Sequence, residues 1–233
     1  MRILTIIFLL VSAPVSAQTC RLALSLALDV SASVDALEYK QQRDGLAAAL
    51  AHEDVISAIF GADGATIAIH AYEWSGRRNQ AVVLDWTLLR DPAHVREIAQ
   101  SLRKTVRSQT EFPTSLGNAL GFGAIALQKS PPCDRKTLDV SGDGKNNDGF
   151  APHNAYSSFN FSNITVNGLA IGGADAEILP YYLRSVMHGP GAFVEYATDY
   201  QDYARAIRRK LIREIGAQHL ASFTDFPPSK MRN

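Results

Sequence analysis

Apolar and polar positions along this chain fall into blocks whose period switches repeatedly between two residues and three or four. The run Leu22-Ala23-Leu24-Ser25-Leu26-Ala27-Leu28 is apolar at nearly every position and too short for a helix, as in a strand buried on both faces. Asp35-Ala36-Leu37-Glu38 then has the spacing of a capping box and opens a helix through Leu46 to Leu50. Thr66 to Tyr72 alternates like a strand, and Ala81 to Trp86 follows after a Gly/Arg/Asn turn, close enough to pair as a hairpin. Asp91-Pro92 starts a helix to about Val106, and another begins after Thr114. Thr137 to Ser141, Thr165 to Ile171 and Ala192 to Tyr196 read as strands, with helices near Ala176–Met187 and Tyr200–Gln218. The last helix has an apolar stripe of Tyr200, Tyr203, Ala204, Ile207, Leu211 and Ile215. Its basic residues Arg205, Arg208, Arg209, Lys210 and Arg213 are assigned to the solvated face. Such alternation predicts an α/β fold: a doubly wound, mostly parallel sheet with one antiparallel edge strand and helices on both faces.

The amino terminus departs from this pattern. Arg2 is the only charge in the first 20 residues, Ile3 to Val11 is apolar but too short to span a bilayer, and Val15-Ser16-Ala17 ends in small residues. A signal peptide is expected over residues 1–17, a single domain over 18–221, and a loose tail with Pro227-Pro228 over 222–233. Export to the periplasm or the medium follows, with no membrane span. The whole chain has 23 basic and 23 acidic residues, a balance that gives no reason to expect nucleic acid. An exported chain with two cysteines invites pairing. Cys20 and Cys133 each precede a strand by a similar distance, and a disulfide between them is expected if those strands are parallel neighbours.

Candidate chemistry sits where the first strand ends. Asp29-Val30-Ser31-Ala32-Ser33 places a carboxylate and two hydroxyls at alternate positions, where hard oxygens suit a small hard cation. Taken alone it would equally serve to cap the next helix. Two further segments matter: Pro113-Thr114-Ser115-Leu116-Gly117, a loop threonine entering a helix, and Leu138-Asp139-Val140-Ser141-Gly142-Asp143-Gly144, a strand running into Asp-Gly.

Together, Asp29-x-Ser31-x-Ser33, Thr114 and Asp143-Gly144 resemble the metal-ion-dependent adhesion site of von Willebrand factor A-like domains in order, spacing and context. The stretch from Asp139 to Asn147 resembles, more narrowly, exported single-domain proteobacterial proteins of unknown function. The likeness runs from about Arg21 to Ile215. It implies hydroxyl ligands from Ser31, Ser33 and Thr114, with Asp29 and Asp143 acting directly or through water. The ion it implies is Mg²⁺, with Mn²⁺ or Ca²⁺ as alternatives. The position left open would take an Asp or Glu carboxylate from a protein or peptide partner. Thr110 is the alternative threonine, but the helix start after Ser115 fits the resemblance from Thr114. Glu73 and Trp74 are expected on the same edge, and Asn146 and Asn147 beside it, as candidate ligand-surface residues.

Catalytic signatures are missing. No Gly-x-Ser-x-Gly elbow or phosphate-binding Gly-Lys loop occurs, and the six histidines are scattered. An EF-hand reading from Asp139 fails because its twelfth position is Phe150. The enzymatic alternative is an Mg²⁺-dependent phosphohydrolase centred on Asp29, although Ser31 stands where such enzymes carry a second Asp. A third alternative is a structural subunit whose metal only stabilises the fold.

Overall fold

The computed structural model describes residues 19–61 and 65–216. The expected signal peptide, the loose tail and the end of the last helix at Gln218 lie outside the described residues. The elements run β1 (Cys20–Asp29), α1 (Ala36–Leu50), α2 (Glu53–Phe60), β2 (Thr66–Trp74), β3 (Gln80–Leu88), α3 (Pro92–Arg103), α4 (Leu116–Gln128) and β4 (Cys133–Gly142). They continue with α5 (Pro152–Ser158), β5 (Ile164–Ile171), α6 (Ile178–Ser185), β6 (Val194–Ala197) and α7 (Tyr203–Gly216).

Six strands form one sheet in the order β3-β2-β1-β4-β5-β6, and only β3 runs antiparallel, against β2. Every residue of β1 is buried, because side chains alternate between two helical layers. Leu22, Leu24, Leu26 and Leu28 enter the core under α1, α2, α3 and α7, while Ala23 and Ala27 face α4, α5 and α6. From β1 the chain builds β2 and β3 on one side, then crosses back to lay β4 on the other side of β1. The β1/β4 boundary is therefore the point where strand order reverses, which is where open α/β sheets hold ligands.

That adjacency also explains the cysteines. Cys20 and Cys133 are directly opposed across the parallel β1/β4 pair and form a disulfide closing a sequence separation of 113 residues. In chain-entropy terms such a loop contributes about 4–5 kcal/mol. It clamps the amino edge of the two strands whose carboxyl ends carry Asp29 and Asp143.

The hairpin, the capping box at Asp35 and the Asp91-Pro92 helix start all occur as expected. Two helices were not anticipated. His52 caps α2 one residue after α1 ends, with no glycine or proline to mark the break, and α5 is seven residues long. The assignment of Lys210 to the wet face of α7 needs correction. Lys210 and Glu214 are buried, and Lys210 Nζ lies 2.7 Å from Asp139 Oδ1 and 2.6 Å from Glu214 Oε1. Ala204, expected in the apolar stripe, is exposed, and Ala206 takes the buried position.

Candidate metal centre

β1 pairs with β2 up to the Val30 amide, which donates to the Trp74 carbonyl at 2.9 Å, and the chain then turns away from the sheet. The turn is held locally: the Ser31 amide donates to Asp29 Oδ1 at 2.8 Å, and the Val34 amide to the Ser31 carbonyl at 3.0 Å. Remote side chains hold it as well. Gln42 of α1 donates to the Asp29 carbonyl at 2.8 Å, and Arg107 donates to the carbonyls of Val30 and Ser31. The Ala32 amide donates to the Phe112 carbonyl, which brings the segment before Thr114 alongside.

The three candidate segments meet in a chain of hydroxyls. Thr114 Oγ1 donates to Ser31 Oγ at 3.2 Å, Ser31 Oγ lies 3.1 Å from Ser33 Oγ, and Ser33 Oγ donates to Asp143 Oδ1 at 2.8 Å. Asp29, Ser31, Thr114 and Asp143 are buried, whereas Ser33 is exposed, so the cluster opens to solvent on one side. Thr110 is exposed and takes no part in this chain. A Cβ on Gly144 would stand 3.0 Å from Thr114 Oγ1, so a glycine there keeps the approach open.

Electrostatics single the cluster out. Burial, followed by the nearby Asp143 charge, pushes the Asp29 carboxyl up to about 7, against the hydrogen bonds from Ser31 and the Arg107 charge. Burial likewise raises Asp143. Among the described residues neither carboxylate forms an ion pair. Asp29 Oδ2 is buried without any hydrogen-bond partner. A buried acid oxygen with no donor is costly unless something positive occupies the space beside it. Two carboxylates, one of them with an unpartnered oxygen, and three hydroxyls make a donor set that fits a hard divalent cation. Among the described residues no three His, Cys, Asp or Glu side chains cluster, so such a site would depend on its hydroxyls.

The flanking candidates divide. Asn146 and Asn147 serve as clamps: Asn147 Oδ1 accepts from the Thr114 amide at 2.9 Å, and Asn146 Oδ1 from the Gly117 amide at 3.1 Å. They fix the threonine loop against the loop after β4. Glu73 and Trp74 are not surface residues, contrary to expectation. Trp74 is fully buried in the core, and Glu73, 1 % exposed, accepts hydrogen bonds from Tyr39 Oη and the Ser108 amide. β2 is covered by helices on both faces up to its last residue, so even its final side chains point into packing. Reasoning from the sequence missed Gln42, Arg107 and Tyr182. Gln42 comes from α1, the next element along the chain, Arg107 and Tyr182 come from segments distant in sequence, and no local pattern marks them.

A family model described as a protein of unknown function (DUF1194) matches residues 19–219. No curated protein sequence matches the chain. Among solved structures, proximal thread matrix protein 1 from the mussel byssus, with a zinc-occupied metal-ion-dependent adhesion site motif, is 13 % identical with a TM-score of 0.64. That match covers 85 % of this chain and 49 % of the mussel protein. A von Willebrand factor type A protein from Catenulispora acidiphila is 20 % identical (TM-score 0.59; 85 % of this chain, 43 % of that one). The conserved hypothetical protein BatB from Bacteroides thetaiotaomicron is 15 % identical (TM-score 0.56; 84 % and 99 %). The chain thus spans about half the length of the mussel protein. At these identities the likeness establishes the fold, which is that of a von Willebrand factor A domain.

Proposed function

This chain belongs to the DUF1194 family of proteins of unknown function, and we propose that it is an exported, adhesion-type binding module. Asp29, Ser31, Ser33, Thr114 and Asp143 would hold a divalent ion, Mg²⁺ by preference, and the ion would capture an acidic side chain of a protein partner. The observation that carries this reading is the meeting of three separate segments in one hydroxyl chain between two buried acids, with Asp29 Oδ2 left unpartnered. The bound ion would supply a Lewis-acidic position for an outside carboxylate.

The residues of the chain have separable tasks in this reading. Asp29 and Asp143 balance the ion's charge, while the neutral hydroxyls leave it electrophilic. Gln42 and Arg107 hold the Asp29–Ser33 turn rigid by its carbonyls, so little order need be gained on binding. Exposed Ser33 marks the side from which a partner approaches. The disulfide, at home in an oxidising compartment, supports export.

The test is calorimetric titration of purified protein with MgCl₂, followed by binding to immobilised peptides that differ only in Asp or Asn at one position. Wild type should bind Mg²⁺ and then retain the Asp peptide in a chelator-sensitive way, and Asp29→Ala should lose both. Mg²⁺ binding unchanged in Asp29→Ala, or phosphatase turnover abolished by Asp29→Asn, would overturn it.

A further inference from the structure

Two buried oxygens without hydrogen-bond partners, Asp29 Oδ2 and the Tyr182 hydroxyl, approach one point beside the edge acids. Tyr182, on α6, belongs to the core under α4, α5 and α6. Its hydroxyl and Asp29 Oδ2 lie 2.6 and 2.7 Å from the point where a Cβ on Gly142 would sit. Burial, followed by the charges of Asp29 and Asp143, holds that hydroxyl in its protonated form.

The backbone is shaped to allow this approach. A Cβ on Gly168 of β5 would stand 2.7 Å from Cδ1 of the Tyr182 ring, and one on Gly142 of β4 would meet its hydroxyl. Gly168 is opposite Val140 in the β4/β5 pair, and Gly142 is opposite Ala170. Two glycines on neighbouring strands thus clear a lane along which the ring reaches from α6 toward Asp29 on β1. Neither glycine has positive φ, so close approach is the reason for both. Burying this hydroxyl unpaired beside a carboxylate costs stability in the metal-free fold.

We infer that Tyr182 is a positioning residue of the metal centre, whose hydroxyl holds the Asp29 carboxylate and a water ligand of a strongly hydrated cation. This rests on the metal-binding reading above. Groups that hydrogen-bond to metal ligands commonly set affinity and choice of ion. A cation that keeps several waters, as Mg²⁺ does, has the most to gain from such a hydroxyl. Ca²⁺, with more numerous and more flexible ligands, has less.

The experiment compares wild type and Tyr182→Phe by calorimetric titration with MgCl₂ and CaCl₂, and by thermal melting in chelator. Wild-type titration tests the metal site itself; without divalent binding there, the function proposed above and this inference fall together. With wild type binding, Tyr182→Phe should lose roughly 10-fold or more in Mg²⁺ affinity, and lose less for Ca²⁺. In chelator it should melt higher by roughly 2–4 °C, because an unpaired buried hydroxyl has been removed. A purely structural tyrosine gives the opposite melting shift and leaves the Mg²⁺/Ca²⁺ ratio alone. Wild-type affinity and ion preference in Tyr182→Phe overturns the inference while leaving the metal site standing. Gly168→Ala, whose Cβ would meet the Tyr182 ring and neither acid, displaces the hydroxyl without removing it and should reproduce the Tyr182→Phe loss, and wild-type affinity there counts against the inference.

Discussion

Two pairs of buried acids are built around the adjacent strands β1 and β4, and the protein treats them in opposite ways. Asp139 on β4 and Glu214 on α7 share an internal cation, Lys210, with Nζ 2.7 and 2.6 Å from their oxygens and no exposure to solvent. Asn167 adds a hydrogen bond to Glu214 at 2.8 Å. Asp29 and Asp143, at the carboxyl edge, have hydroxyls but no lysine or arginine in an ion pair. Arg107 is near enough to favour the Asp29 charge, but its guanidinium donates to backbone carbonyls. Burial is the first cause of a raised carboxyl at both Asp29 and Asp139. A raised acid alone therefore does not distinguish a binding site from a structural cluster. The distinction is whether the chain supplies the compensating charge itself.

The sharpest way to break the comparison is to remove the internal cation. Lys210→Met leaves Asp139 and Glu214 buried together with no counter-charge, and the expected loss is about 3–5 kcal/mol in denaturant-induced unfolding. Mg²⁺ should not restore it, because the Asp139/Glu214 cluster lacks the hydroxyl ligands and the open side of the other. A loss under 1 kcal/mol would mean the triad is not the self-neutralised cluster described.

The second effect is smaller and depends on pH. Burial and the Asp143 charge hold the Asp29 carboxyl at about 7 in the folded state, against about 3.9 in an unfolded chain. Its proton is therefore held more tightly in the folded state than in the unfolded chain, so its contribution to stability is fully present below about pH 4. That contribution is lost as pH rises through about 7. His70, buried and lowered to about 4, acts with the opposite sign, destabilising the fold as pH falls below its unfolded value near 6.5. Burial raises Asp139 as well, against the Lys210 charge. Both are common to wild type and Asp29→Asn, so the difference between the two proteins isolates Asp29. In chelator, wild type should lose on the order of 2–3 kcal/mol relative to Asp29→Asn between pH 4 and 8. Excess Mg²⁺ at pH 8 should restore wild type alone. Parallel pH curves for the two proteins would show that the Asp29 charge is already compensated.

The difference between the two clusters also explains what could be read from the sequence. The edge site was legible because its candidate ligands lie in short segments with local grammar: Asp29-x-Ser31-x-Ser33 at a strand end, Thr114 before a helix and Asp143-Gly144 after a strand. The sheet was legible too, since β1 is apolar throughout and the two cysteines precede strands that prove to be neighbours. Lys210 was misplaced because it stands among four arginines on a helix that looks amphipathic, and only Asp139, seventy-one positions earlier, makes it a buried residue. Tyr182 was invisible for the same reason. A hydroxyl brought in by a distant element has no motif, and its only trace is a pair of glycines, Gly142 and Gly168, each of which has a commoner explanation as turn or strand residue. Glu73 and Trp74 were put on the surface because a strand end suggests exposure, yet both are packed.

The smallest effect on stability separates the clusters most clearly. Ser33 is exposed, and its one hydroxyl bridges Ser31 Oγ and Asp143 Oδ1. Asn167 is 3 % exposed, and its amide bridges Glu214 Oε1 and the Phe193 amide at 2.8 and 3.0 Å. Water can replace the Ser33 hydroxyl, so Ser33→Ala should change unfolding free energy by no more than about 0.5 kcal/mol. Nothing replaces the Asn167 amide, and Asn167→Ala should cost about 2 kcal/mol through a lost partner for a buried carboxylate. Metal titration reverses the ranking: Ser33→Ala weakens Mg²⁺ binding because a ligand oxygen is gone, and Asn167→Ala leaves it unchanged. A residue that matters little to the fold and much to the ion marks a site maintained for binding. If Ser33→Ala were instead as destabilising as Asn167→Ala, with Mg²⁺ affinity intact, the edge cluster would be a second structural network.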